Sequence, residues 1–321
     1  MTGATIDGVA YAIDLKAATA RLITEVQEQG VHVGLATVMV GDDYAAAAYE
    51  RRLRHLAEEL GCGYRCEQMP ATVSEAEAVA RVGLLDADPR VSGILVLRPL
   101  PPHISEVALY RALDPLKDIE SMHPVNAGLL ALGRPRYVPS TPASVFHLLD
   151  RYLLSTGRDP DDFYRRSRLV VVGRSLNVGK PTVLLGLGRG ATVIACDENT
   201  SRSGYLHECT RQADILVSAA GVPGLLGGEH VKPGVIAVDV GINPVSDPLS
   251  GRTRLVGDLV FDEIQAVAEA VSPVPGGVGP ITDVCLLHTT AAAARLTAEQ
   301  AAAEIRCETA DLPTPFLPVG R

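Results

Sequence analysis

The sequence predicts an α/β protein of two domains, the second a Rossmann-type, doubly wound parallel sheet. Three observations carry this. Strand-like and helix-like segments alternate with short connections, the order of a mostly parallel sheet covered by helices. A β-branched run at 169–172 leads into the loop Gly-Arg-Ser-Leu-Asn-Val-Gly-Lys at 173–180 and then into a helix. The length, 321 residues, suits two domains better than one.

Residues 14–29 carry apolar side chains at helical spacing and stop at Gly30. Residues 32–40 are a β-rich run closed by Gly41-Asp42-Asp43, and 44–60 read as a helix stopped by Gly61. A strand is predicted at 63–69. Ser74-Glu75-Ala76-Glu77 opens a helix over 74–85 with a capping signal. Residues 93–97 form a short buried strand. The stretch 99–136, rich in Pro and Gly, reads as loop apart from a helix near 105–113; long loops in compact domains are often functional. A helix at 141–155 and a polar connection at 157–168 complete the first half.

In the second half, strand 169–172, the loop and helix 180–187 are followed by a strand at 192–195, a helix near 205–212 and a strand at 215–218. A strand at 235–240 and a short segment near Ser272 follow. An Ala-rich helix spans 283–304. The tail beyond Asp311 holds three prolines and is expected to be disordered or loosely attached.

Composition narrows the function. Hydrophobic residues make up 47% and aromatic ones 4%, with no Trp, so the cores are aliphatic. A net charge of −9 argues against nucleic acid or an anionic membrane surface as partner. There is no signal-like N-terminus and no apolar run of the ~20 residues a membrane span needs, so a cytoplasmic protein is expected. Of the six cysteines, only Cys62 and Cys66 are close, and they lack the second ligand pair of a zinc site. Reduced thiols and no metal are expected.

Gly173 ends a buried strand where a helix is about to begin, which lets backbone approach a phosphate and aims free N–H groups at it. The pattern Gly-x-Ser-x-x-Val-Gly-x-Pro departs from the common Gly-x-Gly-x-x-Gly, but its strand–loop–helix–strand context supports a dinucleotide site. The following strand ends in Asp197-Glu198. Acids there accept from ribose hydroxyls and repel a 2′-phosphate, which favours NAD over NADP. Alternatively these acids only solvate a strand end, while Arg174 and Arg202 bind phosphate.

Several segments, in order, carry a resemblance. They are Gly93-Ile94-Leu95-Val96, Pro99-Leu100-Pro101, Lys117-Asp118-Ile119-Glu120, His123-Pro124-Val125-Asn126-Ala127-Gly128 and Pro139-Ser140-Thr141-Pro142. Gly173-Arg174-Ser175, Val178-Gly179-Lys180-Pro181, Val238-Asp239-Val240-Gly241-Ile242-Asn243, Val256-Gly257-Asp258 and the run from Pro273 through Pro275, Gly276 and Gly277 to Thr282 continue it. Together they resemble the methylenetetrahydrofolate dehydrogenase/cyclohydrolase family. The resemblance implies a folate-binding α/β domain over 1–150, a Rossmann domain over 151–282, a last helix over 283–306 packing back on the first domain, and a tail over 307–321. It also implies a homodimer, tetrahydrofolate as substrate and a nicotinamide cofactor held by Gly173, Arg174, Ser175, Val178, Gly179, Asp197, Glu198, Ala220, Gly241 and Thr282.

On this resemblance Tyr49 stacks on the folate ring system and Glu120 hydrogen-bonds the pterin; both are taken as catalytic. Pro275, Gly276 and Gly277 allow close backbone approach to substrate and nicotinamide. Alternatively these are an ordinary helix Tyr, a solvated loop acid and a tight turn. Asp283, where the family has an apolar residue, either contacts substrate or caps the last helix. His123 and His147 read as structural.

The match fails at informative places. The family's Lys, four residues after the Tyr, is Leu53 here, on the same helix face as Tyr49. Arg52 and Arg54 project to either side and replace it poorly. The family's Gln is Leu97; Arg98 after it faces the other way on a strand. The family's Asp and following Gly are Glu120 and Ser121. Dehydrogenation creates a cation that the folate nitrogens stabilise, so it needs no general base. Hydrolysis of that cation needs proton transfers by a group of tuned pKa, and Leu53 and Leu97 supply none. The chain therefore resembles a monofunctional, NAD-dependent branch of the family. Two rivals remain: an enzyme for another iminium or one-carbon substrate, and a non-catalytic ligand-binding homologue.

Overall fold

The computed structural model describes residues 2–246 and 253–306, the side chains of 301–306 excepted; the tail expectation for 307–321 lies outside the described residues. The strands, in chain order, are β1 (Ala4–Thr5), β2 (Gly34–Val40), β3 (Gly63–Met69), β4 (Gly93–Val96), β5 (Arg168–Val172), β6 (Thr192–Cys196), β7 (Ile215–Ser218), β8 (Ile236–Asp239), β9 (Asn243–Ser246), β10 (Thr253–Val256) and β11 (Ala270–Val271). They fall into two compact units, Met1–Asp14 with Pro139–Thr282, and Leu15–Val138 with Asp283–Arg321.

The second of these units is built on a parallel sheet of order β3-β2-β4. Every residue of the central strand β2 is buried, as a parallel strand covered on both faces requires. Its side chains alternate between two cores. Leu35 and Met39 join one cluster with Leu53, Leu95, Leu97 and Ile119. Ala36, Val38 and Val40 join another with Val82, Leu85, Ile94 and Val96. The helix Val278–Arg306 supplies Leu286, Leu287, Ala291 and Ala294 to the first cluster, so the last long helix does return to the N-terminal sheet. Small alanines on that helix let it lie close to the strands.

The other unit is a six-stranded parallel sheet of order β1-β11-β8-β7-β5-β6. The strand β5 has β6 on one side and β7 on the other. Sequence order therefore reverses at β5, and the loop beginning at Gly173 leaves its C-terminal end at that switch point, the usual place for a ligand in open α/β sheets. β9 and β10 form a separate antiparallel pair.

The division of the chain differs from the predicted 1–150 and 151–282. Ala4 and Thr5 pair with Ala270 and Val271 as an edge of the large sheet, a contact too short for periodicity to reveal. The helix Ser140–Ser155 also belongs here: Asp150 accepts from Tyr164 Oη at 2.7 Å and from Arg189 at 2.9 Å.

Short elements were missed. Within the stretch expected as loop, Pro124–Ala131 is helical, capped by His123 Nδ1 accepting from Val125 N–H. Within the expected connection, Pro160–Arg166 is helical, with Asp159 accepting from Asp161 and Asp162 N–H. Both open with a cap and Pro in the first turn, but each is too short to show a hydrophobic stripe. Phe261–Val267 is a further helix, and the last helix starts at Val278 rather than 283. Asp283 therefore does not cap it.

Leu287 is fully buried in the cluster shared by the last helix and β2. Leu287→Ala should cost about 2–5 kcal/mol, as core truncations do, in denaturant unfolding. A loss below ~1 kcal/mol would mean that the helix contributes little to this core.

Candidate active site

The nucleotide loop sits where strand chemistry puts it. β5 is buried from Leu169 to Val172, and Gly173 follows at φ +113°, a conformation glycine adopts without strain. A Cβ on Gly173 would collide with the Ala219 carbonyl, and one on Gly179 with the Gly173 carbonyl. The two glycines thus let the loop, the helix Gly179–Gly188 and the end of β7 close onto one another. Ser175 Oγ accepts from Gly179 N–H at 3.2 Å and the Ser175 carbonyl accepts from Lys180 N–H at 3.0 Å. Among the described residues, the N–H groups of Arg174, Ser175, Leu176, Asn177 and Val178 donate to no acceptor of the chain. Such a row of free donors before a helix fits a pyrophosphate.

The acids after β6 are more engaged than free ribose ligands would be. Asp197 caps the helix Glu198–Arg202: its Oδ1 accepts from Thr200 N–H at 3.0 Å and Thr200 Oγ1 at 3.1 Å. Its Oδ2 accepts from Arg174 and, at 3.3 Å, from Asn199 Nδ2. Glu198 is exposed and pairs with Arg202 at 2.5 Å. Arg174, at the loop's start, is thus tied to a carboxylate.

Two buried aspartates that sequence reasoning passed over organise the neighbouring strand ends. Asp258 is fully buried and accepts from the N–H groups of Ala220, Gly221 and Val222 at 2.7, 3.2 and 3.0 Å. Ser218 Oγ and Asn243 Nδ2 also donate to it, at 3.2 and 2.9 Å. Asp239 accepts from Gly241, Asp258 and Leu259 N–H at 3.0, 3.0 and 2.9 Å. These bonds fix Ala220 and Gly241, the expected cofactor residues after β7 and β8. The signal was present in the sequence, as acids inside otherwise apolar or Gly-rich runs. In the same unit, Gly276 has φ +108° and its carbonyl accepts from Gly8 N–H at 2.9 Å. Pro275 follows a cis peptide bond, a Cβ on Gly277 would crowd Ser272 and Pro273, and Thr282 Oγ1 donates to the Val278 carbonyl at 3.1 Å.

The expected folate residues come together in the unit containing β2. Asp43 accepts from Ala46 N–H at 2.8 Å and starts the helix Tyr44–Glu59. Tyr49 lies against the core cluster that contains both Leu53 and Leu97, which are 0% and 3% exposed. The two leucines expected at the places of the family's amine and amide are packed in one aliphatic cluster. Arg98 turns away and pairs with Glu106 at 2.5 Å. Glu120, buried, is held in a loop shaped by Asp118, which accepts from Met122 and His123 N–H and from Asn126 Nδ2 at 3.1, 2.8 and 2.9 Å. Ser121, in the place of the family's Gly, adopts φ +54°, a left-handed conformation that favours glycine. Its hydroxyl donates to the Tyr137 carbonyl at 2.6 Å.

Arg52 is not a bystander. Its Nε and Nη2 fork onto Asp283 at 2.5 and 3.2 Å, and its guanidinium carbon lies 5.0 Å from the centre of the Tyr49 ring. Burial, with the Asp283 and Glu120 carboxylates nearby, pushes the Tyr49 phenol well above its ordinary range, so it stays protonated. Burial also raises the Asp283 carboxyl, against the pull of Arg52. Among the described residues no group of three or more His, Cys, Asp or Glu could hold a metal, and no helix is long and apolar enough to cross a membrane.

Comparison with known proteins covers both units. Residues 6–120 match the family model described as tetrahydrofolate dehydrogenase/cyclohydrolase, catalytic domain, and 139–298 the model of its NAD(P)-binding domain. A Rubrobacter xylanophilus protein named bifunctional protein FolD 3 is 63% identical over 96% of each chain. The Campylobacter jejuni FolD methylenetetrahydrofolate dehydrogenase/cyclohydrolase superposes with TM-score 0.82 at 34% identity, over 91% of this chain and 98% of that one. The Trypanosoma brucei enzyme, solved with NADP and an inhibitor, gives 0.84 at 33% identity, over 93% and 99%.

The buried acids predict a pH response. Burial pushes the Asp239 carboxyl up to about 7 from an ordinary 3.8, and the Asp258 carboxylate adds to the shift. The folded state thus prefers the protonated form. The stability this gives is complete below pH ~4 and is lost as pH rises through ~7. Asp239→Asn cannot titrate, so the stability of wild type relative to this variant should fall by on the order of 2 kcal/mol between pH 5 and 8 in urea unfolding. A pH-independent difference would contradict the shift.

Proposed function

The chain belongs to the tetrahydrofolate dehydrogenase/cyclohydrolase family, and from that premise we propose that it is a 5,10-methylenetetrahydrofolate dehydrogenase that has lost the cyclohydrolase step. The observation that carries this is the packing of Leu53 and Leu97 into one aliphatic cluster beside Tyr49. Oxidation of the methylene carbon moves two electrons and one proton together, as hydride, and leaves a cation delocalised over two folate nitrogens; no side chain has to take a proton. A bound nicotinamide supplies the two-electron acceptor. Tyr49 stacks on the folate ring system and Glu120 binds the pterin edge. Hydrolysis of the cation would need a group to activate water and protonate a leaving nitrogen, and two leucines can do neither. The Rubrobacter relative's name declares two activities; the loss proposed here rests on this chain's own residues.

The cofactor proposed is NAD. The free N–H groups at 174–178 take the pyrophosphate, and Ala220 and Gly241, on the loops after β7 and β8, and Thr282, near the start of the last helix, would meet the rest of it. The base for preferring NAD is Arg174, whose charge is already answered by Asp197, the residue just after β6. A 2′-phosphate would have to displace that carboxylate and sit beside Glu198. The Trypanosoma enzyme was solved with NADP, so the point needs a direct measurement.

Purified protein with methylenetetrahydrofolate should reduce NAD, followed as NADH absorbance, and should not hasten decay of methenyltetrahydrofolate above buffer. Clear hydrolytic turnover would overturn the loss, and absence of folate binding in calorimetry with NAD binding retained would point to another iminium substrate. Asp197→Asn keeps the helix cap but frees Arg174. It should tighten NADP relative to NAD by about tenfold, ~1.4 kcal/mol, in a fluorescence titration. Tighter NADP than NAD binding by the wild type would sink the preference.

A further inference from the structure

Asp283 has no role in the chemistry described so far, and its surroundings are unusual for a carboxylate. It is 7% exposed, lies in the second turn of the helix Val278–Arg306, and meets one cation, Arg52, through a two-pronged fork. It immediately follows Thr282, the last residue of the segment proposed to approach substrate and cofactor. Arg52 also lies over the Tyr49 ring, and the Asp283 carboxylate helps to raise the Tyr49 phenol above its ordinary range. With Leu53 and Leu97 apolar, the Asp283 and Glu120 carboxylates and the Arg52 guanidinium all act on the Tyr49 phenol. Oxidation of a neutral methylene compound to a cation is favoured by a carboxylate held beside it and opposed by an ammonium in the place of Leu53.

We propose that Asp283, kept ionised by Arg52, stabilises the positive charge that develops on the substrate's one-carbon unit. This rests on the dehydrogenase function proposed above and assigns its electrostatic partner. Arg52 acts as a positioning residue. Its fork holds the carboxylate in place and charged despite burial, while more than half of its side chain remains exposed to solvent, where water screens its opposing charge. The titratable groups facing Asp283 from the opposing helix are Arg52 and Tyr49, and Glu120 and Tyr64 face that same phenol. Tyr49 stays neutral at working pH, so Arg52 is the group whose removal changes the state of Asp283.

The test uses the full-length protein and three variants, Asp283→Asn, Arg52→Gln and Arg52→Lys, each checked for a native thermal transition. Steady-state NADH formation is measured across pH, and the Asp283 carboxyl is titrated by carbon-13 NMR without ligands. Asp283→Asn should lower kcat about tenfold at every pH with KM changed by less than about threefold. Arg52→Gln should raise the Asp283 titration midpoint and lower kcat on the acid side, with recovery as pH rises; Arg52→Lys should restore both. An Asp283→Asn variant with wild-type kcat overturns the proposal. So does an equal, pH-independent loss in Asp283→Asn and Arg52→Gln, which is the mark of a purely structural brace. A wild type without dehydrogenase turnover overturns the proposed function itself and this inference with it, whereas an active wild type confines any failure to Asp283.

Discussion

The large sheet depends on one constraint: its strands are parallel, and neighbours diverge on either side of β5. Parallel strands must be covered on both faces, so the connections run over the faces and the loops collect at the strand ends. Where the order reverses, two neighbouring loops part and leave a crevice. The loop from Gly173 opens there, and among the described residues the N–H groups of 174–178 donate to no acceptor of the chain. Asp239 and Asp258 are the cost of keeping the crevice shaped. They bury two carboxyl groups beside each other and offset this with donors from the segments after β7, β8 and β10.

The smaller sheet follows the same rule with a different outcome. The alternation along β2 sorts side chains into two cores, and one of these extends to the helix face that carries Tyr49. Leu53 and Leu97 join that core, so a surface that could hold an amine and an amide becomes a continuation of the apolar interior. The charge on this side has moved to Glu120, Asp283 and Arg52.

Much of this was legible in the sequence. The strand and helix order and the loop at Gly173 follow from glycine placement and β-branched runs, while the leucines at 53 and 97 stand out against the motifs of the family that the chain resembles. Several short elements were not, among them Ala4–Thr5, Pro124–Ala131 and Pro160–Arg166. Their short span cannot display a period, and caps such as His123 and Asp159 gain meaning once the fold is known. The partner of Arg52 was hidden for a related reason. Helical geometry directs its Cβ away from the Tyr49 face, but a long side chain can fold back when a buried carboxylate such as Asp283 is there to receive it. Asp197, for which ribose binding or a solvated strand end is expected from the sequence, also caps a helix and holds Arg174, contacts that sequence position alone does not reveal.

The central claim is that two buried leucines separate oxidation from hydrolysis. It is tested most directly by the rate of methenyltetrahydrofolate hydrolysis in wild type and in a Leu53→Lys/Leu97→Gln double variant that keeps its dehydrogenase turnover. The account predicts that wild type hydrolyses the compound no faster than buffer and that the double variant does so measurably faster. Hydrolysis by wild type at the rate of the double variant would contradict it.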